Sequence, residues 1–246
     1  DPDDLAVAGE TCTLTIRAAG ITDADAGDPP DNLAADVLVM IEYDNPAMAA
    51  DDAYSVTPHL LLSIGAASPQ GGGVLVNDTL GGGDTITGFG PSGNCNLVVP
   101  NGSNAAASTA GGRVVLATDG SFSYGPPAGL VDNALPTPED SFCYTLTGGS
   151  IGIVGLNIAL TELVWFVDNN YLGANGASDG TQARPFTAIA GAYSVDTVND
   201  TIHVASSATP YGNPGFALEN GERLIGAGSG SDLETITGIV PVAGSS

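Results

Sequence analysis

Arg113-Val114-Val115-Leu116-Ala117-Thr118-Asp119-Gly120-Ser121-Phe122-Ser123-Tyr124 decides the fold class of this chain. Two short runs rich in β-branched and aromatic residues flank Asp119-Gly120, a dipeptide that favours tight turns between antiparallel strands. Phe122 and Tyr124 fall on one face of the second run, as core aromatics do. The same grammar extends outward. Asp140-Ser141-Phe142-Cys143-Tyr144-Thr145-Leu146 places Phe142 and Tyr144 on a common face, and Ile151–Leu160 follows. Upstream, Asp51–Val56 and Gly73–Asp78 read as further strands. Short strands separated by Gly, Pro, Asn and Asp, with no helical stretch between them, predict a β-sandwich over residues 47–162.

Composition agrees. The 246 residues include 35 Gly and 16 Pro, which β structure rich in turns accommodates and helices do not. There are 28 Asp and Glu against 4 Arg and no Lys, a net charge of −24. Four cations form no basic stripe, so nucleic acid is excluded as a natural partner and an anionic membrane surface is disfavoured. No apolar run reaches the roughly 18–20 residues of a membrane span. The acid excess, with abundant Ser, Thr, Gly and Asn, predicts an extracellular or cell-surface setting in which the charge keeps the chain soluble. The first residue is Asp1, so either a leader has been removed or the chain is a fragment.

Two further regions flank the central one. In residues 1–46, Thr11–Ile16 and Asp36–Tyr43 read as strands around an acidic, proline-broken loop, Thr22–Asp31. Residues 163–246 change character: Val164–Asp168 is a strand, Thr187–Tyr193 a short helix behind Pro185, and Asp200–Ala205 a second strand. The stretches Glu222–Gly228 and Leu233–Val242 follow.

The ordered motifs "DDAYSV", "VLVNDTLGG", "VVLATDGSFSYGPPAG" and "EDSFCYTLTGG" resemble bacterial Ig-like, cadherin-like modules of surface and secreted proteins. Residues 1–46 resemble the closing half of another such module. The Gly-, Asn- and Ala-rich stretch Gly81–Gly112 departs from the pattern. The series "VWFVDN", "GASDGTQARPFTAIAGAY", "DTIHVA" and "LENGERLIGAG" is similar to the cap and first rungs of right-handed parallel β-helices. That resemblance implies a helix over the open end of the coil. The fold expected is therefore all-β: Ig-like β-sandwich modules, then the start of a parallel β-helix.

Chemistry is sparser. No GxSxG, HExxH or phosphate loop occurs, and the glycine runs lack the Lys of a P-loop. Arg184 and Arg223 are the cations of the third region, the first read as a turn anchor and the second as a solvated rung position. His59 and His203 stand alone in the sequence and read as structural residues. No catalytic or cofactor-binding residue is assigned, and the chain is expected not to be an enzyme. Asp exceeds Glu by 21 to 7, which suits loop-borne calcium sites built from carboxylate and carbonyl oxygens. The calcium candidates are Asp23, Asp25, Asp28 and Asp31 in the acidic loop, and Asp44, Asp51 and Asp52 at the first junction; a solvated acidic surface is the alternative. Three glycosylation sequons occur, at Asn77, Asn101 and Asn199. Cys95 and Cys143 share one unit and are expected to pair in an oxidising exterior, with Cys143 on the face opposite Phe142 and Tyr144 and Cys12 left as the odd thiol.

The function expected is a building block of a cell-surface or fibre-like assembly, adhesive or structural. Its partners would be copies of itself joined head to tail, or other surface proteins and glycans. Two strands in residues 1–46 do not complete a sandwich, so either a longer parent or a neighbouring copy supplies the rest. The alternative is a piece of a carbohydrate-binding or carbohydrate-processing β-helix protein.

Overall fold

The computed structural model describes the backbone of residues 11–16 and 37–42, and residues 46–67, 72–133, 138–158, 162–212, 215 and 217–229. Two compact units emerge: residues 1–47 with 79–84, and residues 48–78 with 85–246. In the first, β1 (Thr11–Ile16) and β2 (Val37–Glu42) pair antiparallel, with Cys12 opposite Ile41.

Among the described residues the larger unit holds three sheets. One has the order β3-β10-β9-β5, from β3 (Asp52–Val56), β5 (Ile86–Pro91), β9 (Asp140–Leu146) and β10 (Ile151–Ile158). The β3–β10 pair is parallel and the others antiparallel. A second has the order β4-β8-β7-β6 and is antiparallel throughout, from β4 (Leu62–Ile64), β6 (Ala105–Ala107), β7 (Arg113–Leu116) and β8 (Phe122–Gly125). The two pack across a shared core. Phe122 of the second sheet meets Tyr54 and Phe142 of the first edge-on, with ring centroids 4.9 and 5.4 Å apart. Period-two alternation drives this: Val114, Leu116, Phe122 and Tyr124 are buried and the residues between them are half-exposed. Burying each such side chain contributes about 1.5–3 kcal/mol.

A buried carboxylate ties the sheets together. Asp140 accepts hydrogen bonds from the Tyr124 hydroxyl at 2.6 Å, from the Ser108 hydroxyl, and from the Ala110 and Ser141 N–H groups at 2.7 Å each. Four donors offset the desolvation of a side chain that is 3% exposed. Burial and the neighbouring Asp140 charge push the Tyr124 hydroxyl well above its usual range, which keeps it a donor.

The segment Gly73–Asp78 is not a strand. It turns, with Val76 N–H bonded to Gly73 O and Asp78 N–H to Leu75 O. Gly73 lies against the Asp119-Gly120 connection, where an added Cβ would stand 2.3 Å from Gly120 O. The Gly81–Gly112 stretch, in contrast, holds β5 and β6, whose Gly and Ala content disguises them. At Gly90 a Cβ would meet Asn94 O at 2.3 Å, because the chain folds straight back and Phe89 bridges Val98. That return carries Cys95 onto β9, where it is disulfide-bonded to Cys143. Cys143 points away from Phe142 and Tyr144, yet it is fully buried because the 92–98 loop covers it.

The third sheet has the order β11-β12-β13 and is wholly parallel: β11 (Val164–Val167), β12 (Thr201–Val204) and β13 (Arg223–Gly226). A helix, α1 (Ile189–Tyr193), covers one face, with Ala192 packed against Trp165, Val167 and Ile202. It begins two residues later than the sequence suggests: Ala188 is extended and no side chain caps the start. Among the described residues, no helix is long and apolar enough to cross a membrane.

The Cys95–Cys143 bridge closes a loop with a sequence separation of 48. Its loss is expected to cost about 2–4 kcal/mol, largely through the entropy of the unfolded chain. Urea unfolding with and without reductant, set beside a Cys95→Ala/Cys143→Ala variant, measures this.

Candidate functional site

Of the calcium candidates, Asp23, Asp25, Asp28, Asp31 and Asp44 lie outside the described residues. Asp52 opens β3 and Asp51 immediately precedes it, and the fold adds Asp78 beside them. Asp51 Oδ1 accepts the Ile153 N–H at 2.9 Å. Asp78 Oδ1 accepts the Ala50 N–H at 2.7 Å, and the Tyr144 hydroxyl lies 2.9 Å from both Asp78 oxygens. Asn77 donates to Asp51 O at 3.0 Å, so this sequon asparagine belongs to the same cluster. Asp52 Oδ2 is buried without a partner. Burial, then the charges of Asp78 and Asp51, push Asp52 up to about 7. Two of the three carboxylates are thus engaged with donors that orient them. Among the described residues, no three His, Cys, Asp or Glu side chains gather closely enough to hold a metal ion.

The more informative site is the seam between the paired sheets and the parallel sheet. It is centred on His59, a residue the sequence presents in isolation. His59 is fully buried and holds φ at +62°, an uncommon left-handed conformation for a residue with a side chain. Its Nδ1 lies 3.1 Å from Val164 O, and its Nε2 accepts the Gly129 N–H at 2.8 Å. These two partners fix one neutral tautomer, with the proton on Nδ1. The ring meets Trp165 edge-on at 4.5 Å. His59 O accepts the Gln182 N–H at 2.9 Å, and Gln182 Oε1 accepts the Leu61 N–H at 2.8 Å. Leu60 buries against Val164.

Asp200 braces the far side. It accepts from Trp165 Nε1 at 3.0 Å and from the N–H groups of Leu163 and Thr197 at 3.2 and 2.9 Å. The indole is thereby held between a carboxylate and an imidazole. His203, on β12, packs its ring 5.6 Å from that of Phe166, a structural placement.

Beside the seam opens a cleft of about 410 Å³, lined by Leu61, Arg113, Ser123, Asp168, Tyr171 and Gln182 among others. Arg184 pairs with Asp179 at 2.5 Å and anchors its turn, as the sequence suggests. Arg113 makes no ion pair among the described residues. The sequence offered only Arg184 and Arg223 to the C-terminal region. The fold brings Arg113 across from β7 to the same wall, a juxtaposition that no local spacing signals.

Burial holds the His59 pKa below its ordinary value, against the opposing pull of Val164 O, Asp179 and Asp200. The unfolded chain therefore takes up the proton first. The stability contributed by this group is complete above about pH 6.5 and is lost as pH falls towards the folded-state value. Long-range ¹⁵N–¹H spectra are expected to show the Nδ1-protonated neutral ring persisting below pH 6. The melting temperature of the wild type should fall on acidification more steeply than that of His59→Gln. No protein-family model matches the chain, and no curated protein matches it either.

Proposed function

We propose that the chain is a structural segment of an extracellular or cell-surface protein. An Ig-like, cadherin-like β-sandwich over residues 47–162 is locked to the cap and first rungs of a right-handed parallel β-helix over residues 163–246. Residues 1–46 belong to a neighbouring module. The observation that carries this reading is the seam: His59, Trp165, Gln182 and Asp200 are spent on one buried joint, which suits a part that transmits load. The register of three parallel strands beneath a short helix supports the β-helix reading. The Cys95–Cys143 bridge supports an oxidising compartment.

Hydrogen exchange tests the joint. In the wild type, β7–β10 and β11–β13 are expected to open together, as one cooperative unit. Trp165→Ala, costing about 3–5 kcal/mol, should strip protection from β11–β13 while β7–β9 keep theirs. Independent opening in the wild type would remove the load-bearing reading. Antibody labelling of intact cells checks the location.

A second reading, saccharide binding, is favoured by the cleft. Arg113 and Asp168 offer a donor and an acceptor, and Tyr171 offers an aromatic face. Retention of an acidic oligosaccharide by the wild type, reduced at least tenfold in Arg113→Ala, is the expected result under that reading.

A further inference from the structure

The outer face of the β7–β8 hairpin runs between two hollows. Val114, Leu116, Phe122 and Tyr124 are buried in the core. Arg113 and Val115 of β7 and Ser123 of β8 therefore lie on the opposite face, with Val115 across from Ser123 and Arg113 across from Gly125. Gly125 lets the C-terminal region come down onto this face: a Cβ there would stand 3.4 Å from that of Ala183. The cleft of about 410 Å³ opens at this end, with Arg113, Ser123 and Gly125 on its hairpin side. A second hollow, of about 190 Å³, lies towards the hairpin turn and is lined by Gly102, Val115, Ala117, Ser121 and Ser123 among others. Ser123 belongs to both. From Arg113 to Ala117 the extended chain advances about 13 Å.

The two ends differ in charge. At the cleft, Arg113 makes no ion pair among the described residues, in a chain of net charge −24. An unpaired guanidinium beside a cavity suits an anionic group, which it can hold with two parallel hydrogen bonds. Other lining residues are already held in place: the Tyr171 hydroxyl donates to Gly176 O at 2.8 Å and accepts the Asn175 N–H at 3.3 Å, and Asn175 Nδ2 donates to Ala183 O at 3.0 Å. No cation lines the second hollow among the described residues. Instead the Asp119 carboxylate stands beside it, with Oδ1 accepting from the Ser121 N–H and hydroxyl at 3.0 and 2.6 Å. A second acidic group placed there would be repelled, whereas a neutral polar ring would not.

Resting on the saccharide-binding reading of the cleft, we propose that the hairpin face binds a linear oligosaccharide of mixed charge. One acidic sugar sits at Arg113, and uncharged sugars run over Ser123 into the second hollow.

The test titrates the whole chain calorimetrically with four probes: glucuronic acid, a neutral tetrasaccharide, a neutral chain of the same length ending in one glucuronic acid, and a tetrasaccharide of uronic acids throughout. The mixed chain is expected to bind at least tenfold tighter than each of the other three. Ala117→Trp, which fills the second hollow, should bring the mixed chain down to about the affinity of glucuronic acid. Should that variant fail to fold, the wild type decides by its amide spectrum: the mixed chain should shift the signals of Ala117 and Ser121, and glucuronic acid should not. Equal binding of glucuronic acid and the mixed chain, with those two signals unmoved, would overturn the proposal and leave the cleft reading standing. Tightest binding by the wholly acidic chain would overturn the charge assignment on which the proposal rests. No binding by any acidic probe would overturn the proposal and the cleft reading together.

Discussion

The imidazole of His59 is the constraint on which the larger unit depends. A ring that must donate from Nδ1 to Val164 O and accept at Nε2 from Gly129 has no freedom of tautomer or charge. It sits in a left-handed backbone conformation that exposes both its carbonyl to Gln182 and its ring to Trp165. One residue thus supplies a side-chain donor, a side-chain acceptor, a backbone acceptor and an aromatic edge to the same joint. The Trp165–Asp200 bond carries the support one strand further, to the loop that leads into β12. Leu60 and Val164, with Phe166 packed against them, add an apolar contact at the same joint.

How much of this could be read from the sequence follows from the range of the interactions. The alternation in Arg113–Leu116, Phe122–Tyr124 and Asp140–Leu146 is local, and it located β7, β8 and β9 almost to the residue. The run Gly73–Asp78 has the same apolar content and forms turns, with the side chains of Asn77 and Asp78 bonded back to Asp51 and Ala50, just before β3. β5 and β6 were hidden for the opposite reason. Their glycines and alanines carry no strand signal, and the glycines are required by a loop packed directly over the backbone.

The sites were less legible than the strands. His59 and His203 look alike in sequence, and only the fold separates a joint from a packing residue. Asp51 and Asp52 could be singled out, whereas Asp78 reaches them only because the turns at 73–78 bring it back. Arg113 lines the cleft from the second sheet, together with residues of the C-terminal region far from it in sequence. Charge composition announces that acids will crowd one another. It does not say which of them will be buried.

The disulfide has a further consequence, for the response of the chain to tension. Cys95 and Cys143 enclose β6, β7 and β8, most of the second sheet. A pull on the two termini runs through the covalent bridge and bypasses everything between the cysteines. That sequence separation of 48, roughly 160–170 Å of extended chain, stays out of the force path even after the strands around it have separated. Stretched from its ends, the oxidised chain is shorter than its residue number suggests, and it retains a tethered loop from which the second sheet can re-form when the load is released.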